Sequence, residues 1–181
     1  MNGAAGRVIL GIDPGTASTG FGVITVEGNR MRAVDYGVVS TAAGLRPESR
    51  LEQIFSEVRE ILERHHPDAT AIESLFFNVN VRTALAVGQA RGVTLLACSQ
   101  AGCEVFEYTP QQIKQAVAGY GKAGKEQVMD MVRVLLGLAE VPRPDHAADA
   151  LGVAICHANC WGMHERVARS EATAAARRRS R

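Results

Sequence analysis

The change of hydrophobic period near Pro47 is the feature that most constrains the fold of this chain. Before it, residues 7–13, 19–26 and 31–40 have the composition of β-strands, and residues 27–30 read as a hairpin turn. After it, apolar residues recur every three or four positions, which is the period of an amphipathic helix. The sequence therefore predicts an antiparallel three-stranded meander followed by a helix.

The remainder of the chain alternates short apolar runs with helical patterns. The predicted strands lie at residues 69–73 and 103–108, and the predicted helices lie at residues 82–100, from Pro110 onward, at 125–138 and at 145–163. Because helical crossovers join parallel strands, we expect an α/β fold with a mixed five-stranded sheet flanked by helices: three antiparallel strands, then parallel strands. Residues 1–164 are predicted to form one domain, and residues 165–181 a basic, disordered tail.

Charge alone says little about function. The formal net charge is +1, but residues 165–181 contain six Arg and two Glu, so the preceding part is net acidic. A cluster of metal-binding carboxylates produces such a balance, and so does an ordinary acidic surface. Bulk charge therefore does not indicate a nucleic-acid partner.

The cysteines and the apolar pattern bear on localisation. The four cysteines form no C-x-x-C pair, and neither a signal peptide nor a membrane-spanning apolar stretch is evident, so we expect a reduced, cytoplasmic protein without membrane association. Cys156, His157 and Cys160 do not have the spacing of a standard zinc site, and buried thiols are expected there.

Two predicted strands end in a carboxylate. Asp13 follows the apolar run Val8–Ile12 and precedes the turn-forming Pro14, and Glu73 ends the strand at residues 69–73. Adjacent strands that leave the core on the same side bring such residues together. The alternative for Asp13 is an ordinary turn-capping role.

A predicted helix supplies further polar side chains. His146 and Asp149 are three positions apart and share a helical face, but Asp145 and Asp149, four apart, share one too. The spacing therefore leaves the partner of Asp149 open. Capping of the helix start explains Asp145 but does not explain Asp149.

Clustered carboxylates require a neutralising cation, and oxygen ligands suit Mg²⁺ or Mn²⁺, with His146 adding a nitrogen donor. Two such ions activate a water and stabilise the leaving oxygen of a phosphodiester, so this reading predicts a metal-dependent nuclease. Two alternatives compete with it. One is an actin-like or sugar-kinase-like ATPase that places Gly15, Thr16 and Gly20 near a nucleotide, and the other is a non-catalytic nucleic-acid-binding protein.

Several motifs together resemble one family. Gly-Ile-Asp-Pro-Gly-Thr at 11–16, Ala-Ile-Glu-Ser-Leu-Phe at 71–76, Gly-Gln-Ala-Arg-Gly at 88–92 and His-Ala-Ala-Asp-Ala-Leu at 146–151 are similar to the RuvC family of bacterial Holliday junction resolvases. The resemblance implies a ribonuclease-H-like fold and a homodimer. It further implies symmetric Mg²⁺-dependent nicking of four-way DNA junctions in homologous recombination and DNA repair, and cooperation with RuvA and RuvB.

The resemblance also assigns residues. Asp13, Glu73 and Asp149 match the catalytic acids, and His146 occupies the remaining acidic position of many members, either as a metal ligand or as a proton carrier. Two Mg²⁺ ions per site are expected, with Mn²⁺ as a substitute. The DNA-contacting positions implied by the family are Phe76, which wedges against bases, and Lys114 and Lys125, which contact phosphate.

Further contacts are predicted from the residues themselves. Phe77 shares a polar loop with Phe76 and offers a second aromatic ring for stacking on unpaired bases. Asn80 and Arg82, near the start of the following helix, are candidates for contact with the DNA backbone. The apolar segment at residues 84–98, with Ala86 and Ala90 among its small residues, is the candidate dimer interface.

Overall fold

The computed structural model describes residues 6–74 and 81–161, without the side chains of residues 81–83. Strands dominate the first part of the chain and helices the last. The elements are β1 (Arg7–Asp13), β2 (Ser18–Glu27), β3 (Arg30–Ser40), α1 (Pro47–His65), β4 (Ala69–Glu73), α2 (Val81–Gln100), β5 (Val105–Tyr108), α3 (Pro110–Ala118), α4 (Lys125–Leu136) and α5 (residues 145–161).

The strands form one mixed sheet in the order β3-β2-β1-β4-β5. β2 is antiparallel to both β1 and β3, whereas β4 is parallel to β1 and β5 is parallel to β4. The predicted meander followed by parallel strands is confirmed. Ile12 lies beside Ile72 in the parallel pair, so β1 and β4 end at the same edge of the sheet.

Helices cover both faces of the sheet, which explains why the central strands are apolar on nearly every residue. Ile9 and Ala71 face one side and pack in a buried cluster with residues of α3, α4 and α5. Leu10 and Ile72 face the other side and pack in a cluster with residues of α1 and α2. Successive strand residues thus alternate between two cores.

Several element boundaries differ from the sequence prediction. β2 extends one residue further at each end, and β3 and α2 each begin one residue earlier. Two further differences have a clear local cause. β5 begins at Val105 rather than Cys103, because the Cys103 N–H still bonds the Cys98 carbonyl in the turn after α2. α4 ends at Leu136 rather than at residue 138, because Gly137 has a φ of 66° and its N–H bonds back to helix carbonyls. The predicted end of the last helix at residue 163 lies outside the described residues.

The thiols of the described chain are free and differ in burial. Cys98 and Cys156 are buried, and burial raises the pKa of the Cys156 thiol to about 12; Cys103 and Cys160 are half-buried. His157 is fully buried, with its Nδ1 2.7 Å from the Tyr108 hydroxyl oxygen. The prediction of buried thiols is confirmed for Cys156 and only partly so for Cys160.

Glycines on β1 and β2 allow α5 to rest directly on the sheet. A methyl group on Gly11 would overlap the carbonyl oxygen of Ala150, and one on Gly20 would overlap that of His146. A methyl group on Gly22 would lie 2.9 Å from the Leu151 backbone nitrogen. This direct contact between backbones brings the start of α5 over the end of β1.

In the described ranges, no helix combines the length and apolar character that crossing a membrane requires.

Candidate active site

Asp13 and Glu73 lie at one edge of the sheet, as predicted, because they are the last residues of two adjacent parallel strands. Both side chains are half-buried. Rigid strand ends hold carboxylates more precisely than a loop would. The sheet therefore supplies two acids of the site on a fixed framework.

α5 brings His146 and Asp149 to Asp13. His146 Nδ1 lies 2.7 Å from Asp13 Oδ2, although the two residues are 133 positions apart in the chain. One potential ligand atom from each of Asp13, His146 and Asp149 lies within 4.8 Å of the others. The spacing allowed either His146 or Asp145 to accompany Asp149. In the structure, His146 lies with Asp149 beside Asp13.

Glu73 lies at the side of this three-residue group rather than within it. It lines an adjoining pocket of about 180 Å³ with Asp149, Lys114 and Lys125. The structure therefore places all four predicted residues around one acidic region. The tight contacts, however, involve only Asp13, His146 and Asp149 among the described residues.

The electrostatics of the acids reflect burial and mutual repulsion. Burial raises the pKa of Asp13, against the hydrogen bond with His146, which lowers it. Burial also raises the pKa of Glu73 to about 7, and the nearby charges of Asp13 and Asp149 add to this rise, while Lys114 opposes it. The two carboxyl groups therefore hold their protons more tightly than free carboxylates do. A bound cation would stabilise their charged forms.

Lys125, the first residue of α4, places an ammonium group beside one of these acids. Its Nζ lies 3.4 Å from Asp149 Oδ2 and 3.2 Å from Asp145 Oδ2. Burial lowers the pKa of Lys125, but the two carboxylates outweigh it and the net shift is upward. Hydrogen bonding to Lys125 in turn lowers the pKa of Asp145.

A polar clamp fixes the turn that follows Asp13. Arg50 on α1 donates from Nη2 to the Thr16 carbonyl (3.0 Å) and from Nε to the Thr41 hydroxyl oxygen (2.7 Å). The Thr41 hydroxyl in turn donates to the same Thr16 carbonyl. This clamp joins α1 and the end of β3 to the turn beside the acid site.

Sequence comparison decides the family. The family model described as "Crossover junction endodeoxyribonuclease RuvC" matches residues 9–157. The chain belongs to the RuvC family. RuvC of Pelotomaculum thermopropionicum is 57% identical over 152 residues, which are 84% of this chain and 93% of that protein.

Solved RuvC structures share the fold. Thermus thermophilus RuvC has a TM-score of 0.82 at 43% identity, covering 87% of this chain and 97% of that one. T. thermophilus RuvC in complex with Holliday junction substrate has a TM-score of 0.84 at 43% identity, covering 87% and 96%. These matches confirm the predicted ribonuclease-H-like fold of a RuvC protein and decide against the ATPase alternative.

The predicted DNA contacts divide into two groups. Lys114 and Lys125 border the pocket beside Glu73. Phe76, Phe77 and Asn80 lie outside the described residues, and Arg82 lies in α2 with its side chain undescribed. The DNA-binding roles of these residues in this RuvC protein stay predictions.

Two features of the site were missed by sequence reasoning. Helix capping explains Asp145 from the sequence, but nothing in the sequence indicates that its carboxylate contacts Lys125 and Arg143. The clamp formed by Arg50, Thr16 and Thr41 had no signal in the sequence, since two of its bonds end on a backbone carbonyl.

The candidate dimer interface at residues 84–98 lies on α2. Within it, Ala90 is buried in the core, so it is not part of an exposed face.

Proposed function

We propose that this RuvC-family chain resolves four-way DNA junctions by metal-dependent phosphodiester hydrolysis, with Asp13, Glu73, His146 and Asp149 as its catalytic and metal-binding residues. The observation that carries the proposal is the convergence of potential ligand atoms from Asp13, His146 and Asp149 within 4.8 Å. Membership of the RuvC family supplies the reaction class, an endodeoxyribonuclease acting at crossover junctions.

The donor set fits a hard divalent cation. Three carboxylates and one imidazole match the preferences of Mg²⁺ and Mn²⁺. The raised pKa of Asp13 and of Glu73 reflects buried, mutually repelling carboxylates, which a cation would neutralise. Two Mg²⁺ ions, for which Mn²⁺ would substitute, would activate a water and neutralise charge on the leaving oxygen.

The side chains then have distinct tasks. Asp13 Oδ2 holds His146 at Nδ1, which leaves Nε2 as the ring nitrogen for a cation or a proton. Lys114 and Lys125, which flank the pocket beside Glu73, would bind phosphate oxygens and hold the scissile phosphodiester against the acids. In the reaction, a bond from water oxygen to phosphorus forms while the bond from phosphorus to the leaving strand oxygen breaks, and the proton lost by the water ends on that oxygen.

Junction selectivity and symmetric cleavage imply two sites acting together. The solved complex of T. thermophilus RuvC with Holliday junction substrate supports a four-way junction as the substrate here. A homodimer would provide the second site. On α2, Leu85 and Leu96 are 65% and 50% exposed and lie about three helical turns apart on one face, which supports the predicted interface at residues 84–98.

Other expectations rest on the sequence alone. Cooperation with RuvA and RuvB, the cytoplasmic location and the preference for Mg²⁺ stay predictions. The same holds for the domain boundary at residue 164 and the basic tail at residues 165–181, which lie outside the described residues.

The deciding experiment compares a synthetic four-way junction with a linear duplex, with and without Mg²⁺. We expect symmetric, metal-dependent nicking of the junction only. Asp13→Asn should lose cleavage and retain junction binding, because it removes a charge from the site without changing the side-chain shape. Cleavage that survives D13N would overturn the assigned site, and a preference for the duplex would overturn the resolvase function.

A further inference from the structure

α4 and α5 meet at the acid site through one bridging ammonium group. Lys125, the first residue of α4, lies 3.2 Å from Asp145 Oδ2 and 3.4 Å from Asp149 Oδ2, measured from Nζ. Asp145 and Asp149 are four positions apart on α5 and therefore share a face. Lys125 thus has two anionic partners, of which Asp149 also belongs to the proposed metal site.

Asp145 has a different environment from Asp149. It is outside the group of potential metal ligands found among the described residues. Its second oxygen, Oδ1, lies 3.2 Å from Nη1 of Arg143, whose side chain is 76% exposed. Arg143 therefore engages one carboxylate oxygen and leaves Oδ2 to Lys125.

Lys125 also lies between two surface depressions. One is lined by Glu73 and Asp149 together with Lys125, and the other by Arg143 and Asp145 together with Lys125. A cation bound by Asp149 would compete with the ammonium for that carboxylate. Of the two carboxylates that pair with Lys125 in the described part of the chain, Asp145 would then be the one that keeps it at the border of the acid pocket.

We infer that Asp145 is a positioning residue, which holds Lys125 at the rim of the metal site so that its ammonium meets the phosphate of the strand to be cut. The inference rests on the proposed function, in which Lys125 contacts DNA phosphate. Lysine has a flexible four-carbon stem, so an ammonium without a fixed partner samples many orientations. A carboxylate near DNA repels the phosphates and weakens binding. Removing its charge should therefore not weaken junction binding, even where it slows cleavage.

The test separates orientation from affinity. Asp145→Asn keeps the shape of the side chain and removes its charge. We expect the single-turnover cleavage rate of enzyme saturated with a four-way junction to fall about 5- to 30-fold. Junction affinity should stay unchanged or tighten, because a negative charge near the phosphates is lost. Asp145→Glu should restore the rate to within about threefold, since it restores the carboxylate.

A matched control and a double mutant complete the design. Asp130→Asn removes another exposed acid, one that pairs with Arg133 on α4, and should leave the rate unchanged. Lys125→Ala should slow cleavage at least as much as D145N. In the K125A background, D145N should change the rate less than about twofold, because its effect passes through the lysine.

The outcomes distinguish this inference from the proposed function. A wild-type rate in D145N alongside slow cleavage by K125A and D13N would overturn the inference alone. Independent, multiplying effects of D145N and K125A would also overturn it. A lower melting temperature of D145N without a rate change would show only a helix-terminus role for Asp145 and overturn positioning. Full activity of K125A would overturn the role of Lys125 and the inference together.

Discussion

Gly20 lies directly against the backbone carbonyl of His146, so close that a methyl group on the glycine would overlap the carbonyl oxygen. The absent side chain is what allows α5 to contact β2 through backbone atoms. A glycine within a strand usually weakens the strand, and here it is required by the close approach of a helix. The geometry of the acid site therefore depends on a residue without functional groups.

Gly20→Ala should destabilise the protein by about 1–3 kcal/mol, because the added methyl group would have to displace α5 from the sheet. The free energy of unfolding, from urea denaturation, measures this directly. Gly44→Ala is the matched control: its Cβ would meet open space, and its stability should change by less than about 1 kcal/mol. Equal stabilities of the two variants would contradict the direct backbone contact between α5 and β2.

Glu73→Gln should stabilise the metal-free protein at alkaline pH. The pKa of Glu73 is raised from 4.5 to about 7, so the folded state holds this proton more tightly than the unfolded state. The resulting stabilisation is complete below about pH 4.5 and is lost as pH rises through 7. E73Q removes the charged form and should be about 1–3 kcal/mol more stable than wild type at pH 8, with little difference near pH 4.

Urea denaturation in EDTA at several pH values measures this difference. Glu63→Gln is a suitable control, because Glu63 is an exposed acid that pairs with Arg59 on α1, and its substitution should change stability by less than about 0.5 kcal/mol. An E73Q variant no more stable than wild type at pH 8 would show that burial of Glu73 has no energetic cost.

Mg²⁺ should raise the melting temperature of the wild-type protein without DNA. A ligand that binds only the folded state at 100 times its Kd stabilises by about 2.7 kcal/mol. Asp149→Asn should greatly reduce the Mg²⁺-induced shift, because it removes a charged group from the set of potential ligands that Asp149 forms with Asp13 and His146. Differential scanning fluorimetry with Mg²⁺, and with K⁺ at equal ionic strength, measures the effect. Equal shifts with both cations would indicate screening rather than a site.

His146→Asp separates the two roles that were left open for this residue. The family resemblance places an acid at this position in many members, so a metal-ligand role predicts that H146D cleaves within about tenfold of wild type. His146→Ala should lose at least about 100-fold, since nothing replaces the donor. Single-turnover cleavage rates measure both variants. Equal loss in H146D and H146A would instead favour proton transfer by the imidazole.

The convergence of Asp13 and Glu73 could be predicted from the sequence because both end apolar runs, and parallel strands end at one edge of a sheet. The partner of Asp149 could not be predicted. Positions three and four residues away lie on the same helical face, and only the seating of α5 directs His146 to Asp13 and Asp145 to Lys125.

Other features lie beyond what residue patterns can report. Arg50 contacts the Thr16 backbone carbonyl across 34 positions, and a bond to a carbonyl leaves no preference for residue type at its acceptor. The start of β5 and the end of α4 also differed from prediction, since local turn hydrogen bonds rather than hydrophobic period determine them.

The clamp of Arg50 and Thr41 on the Thr16 carbonyl bears on the binding of a cation at the proposed site. All its bonds are internal to the polypeptide, so the backbone behind Asp13 acquires its conformation when the chain folds, before any ion or DNA arrives. The conformational entropy of that turn is lost when the chain folds, and it is not lost again when a cation or DNA binds. A cation binding at the proposed site would thus find the backbone that carries the Asp13 carboxylate already in place at the end of β1.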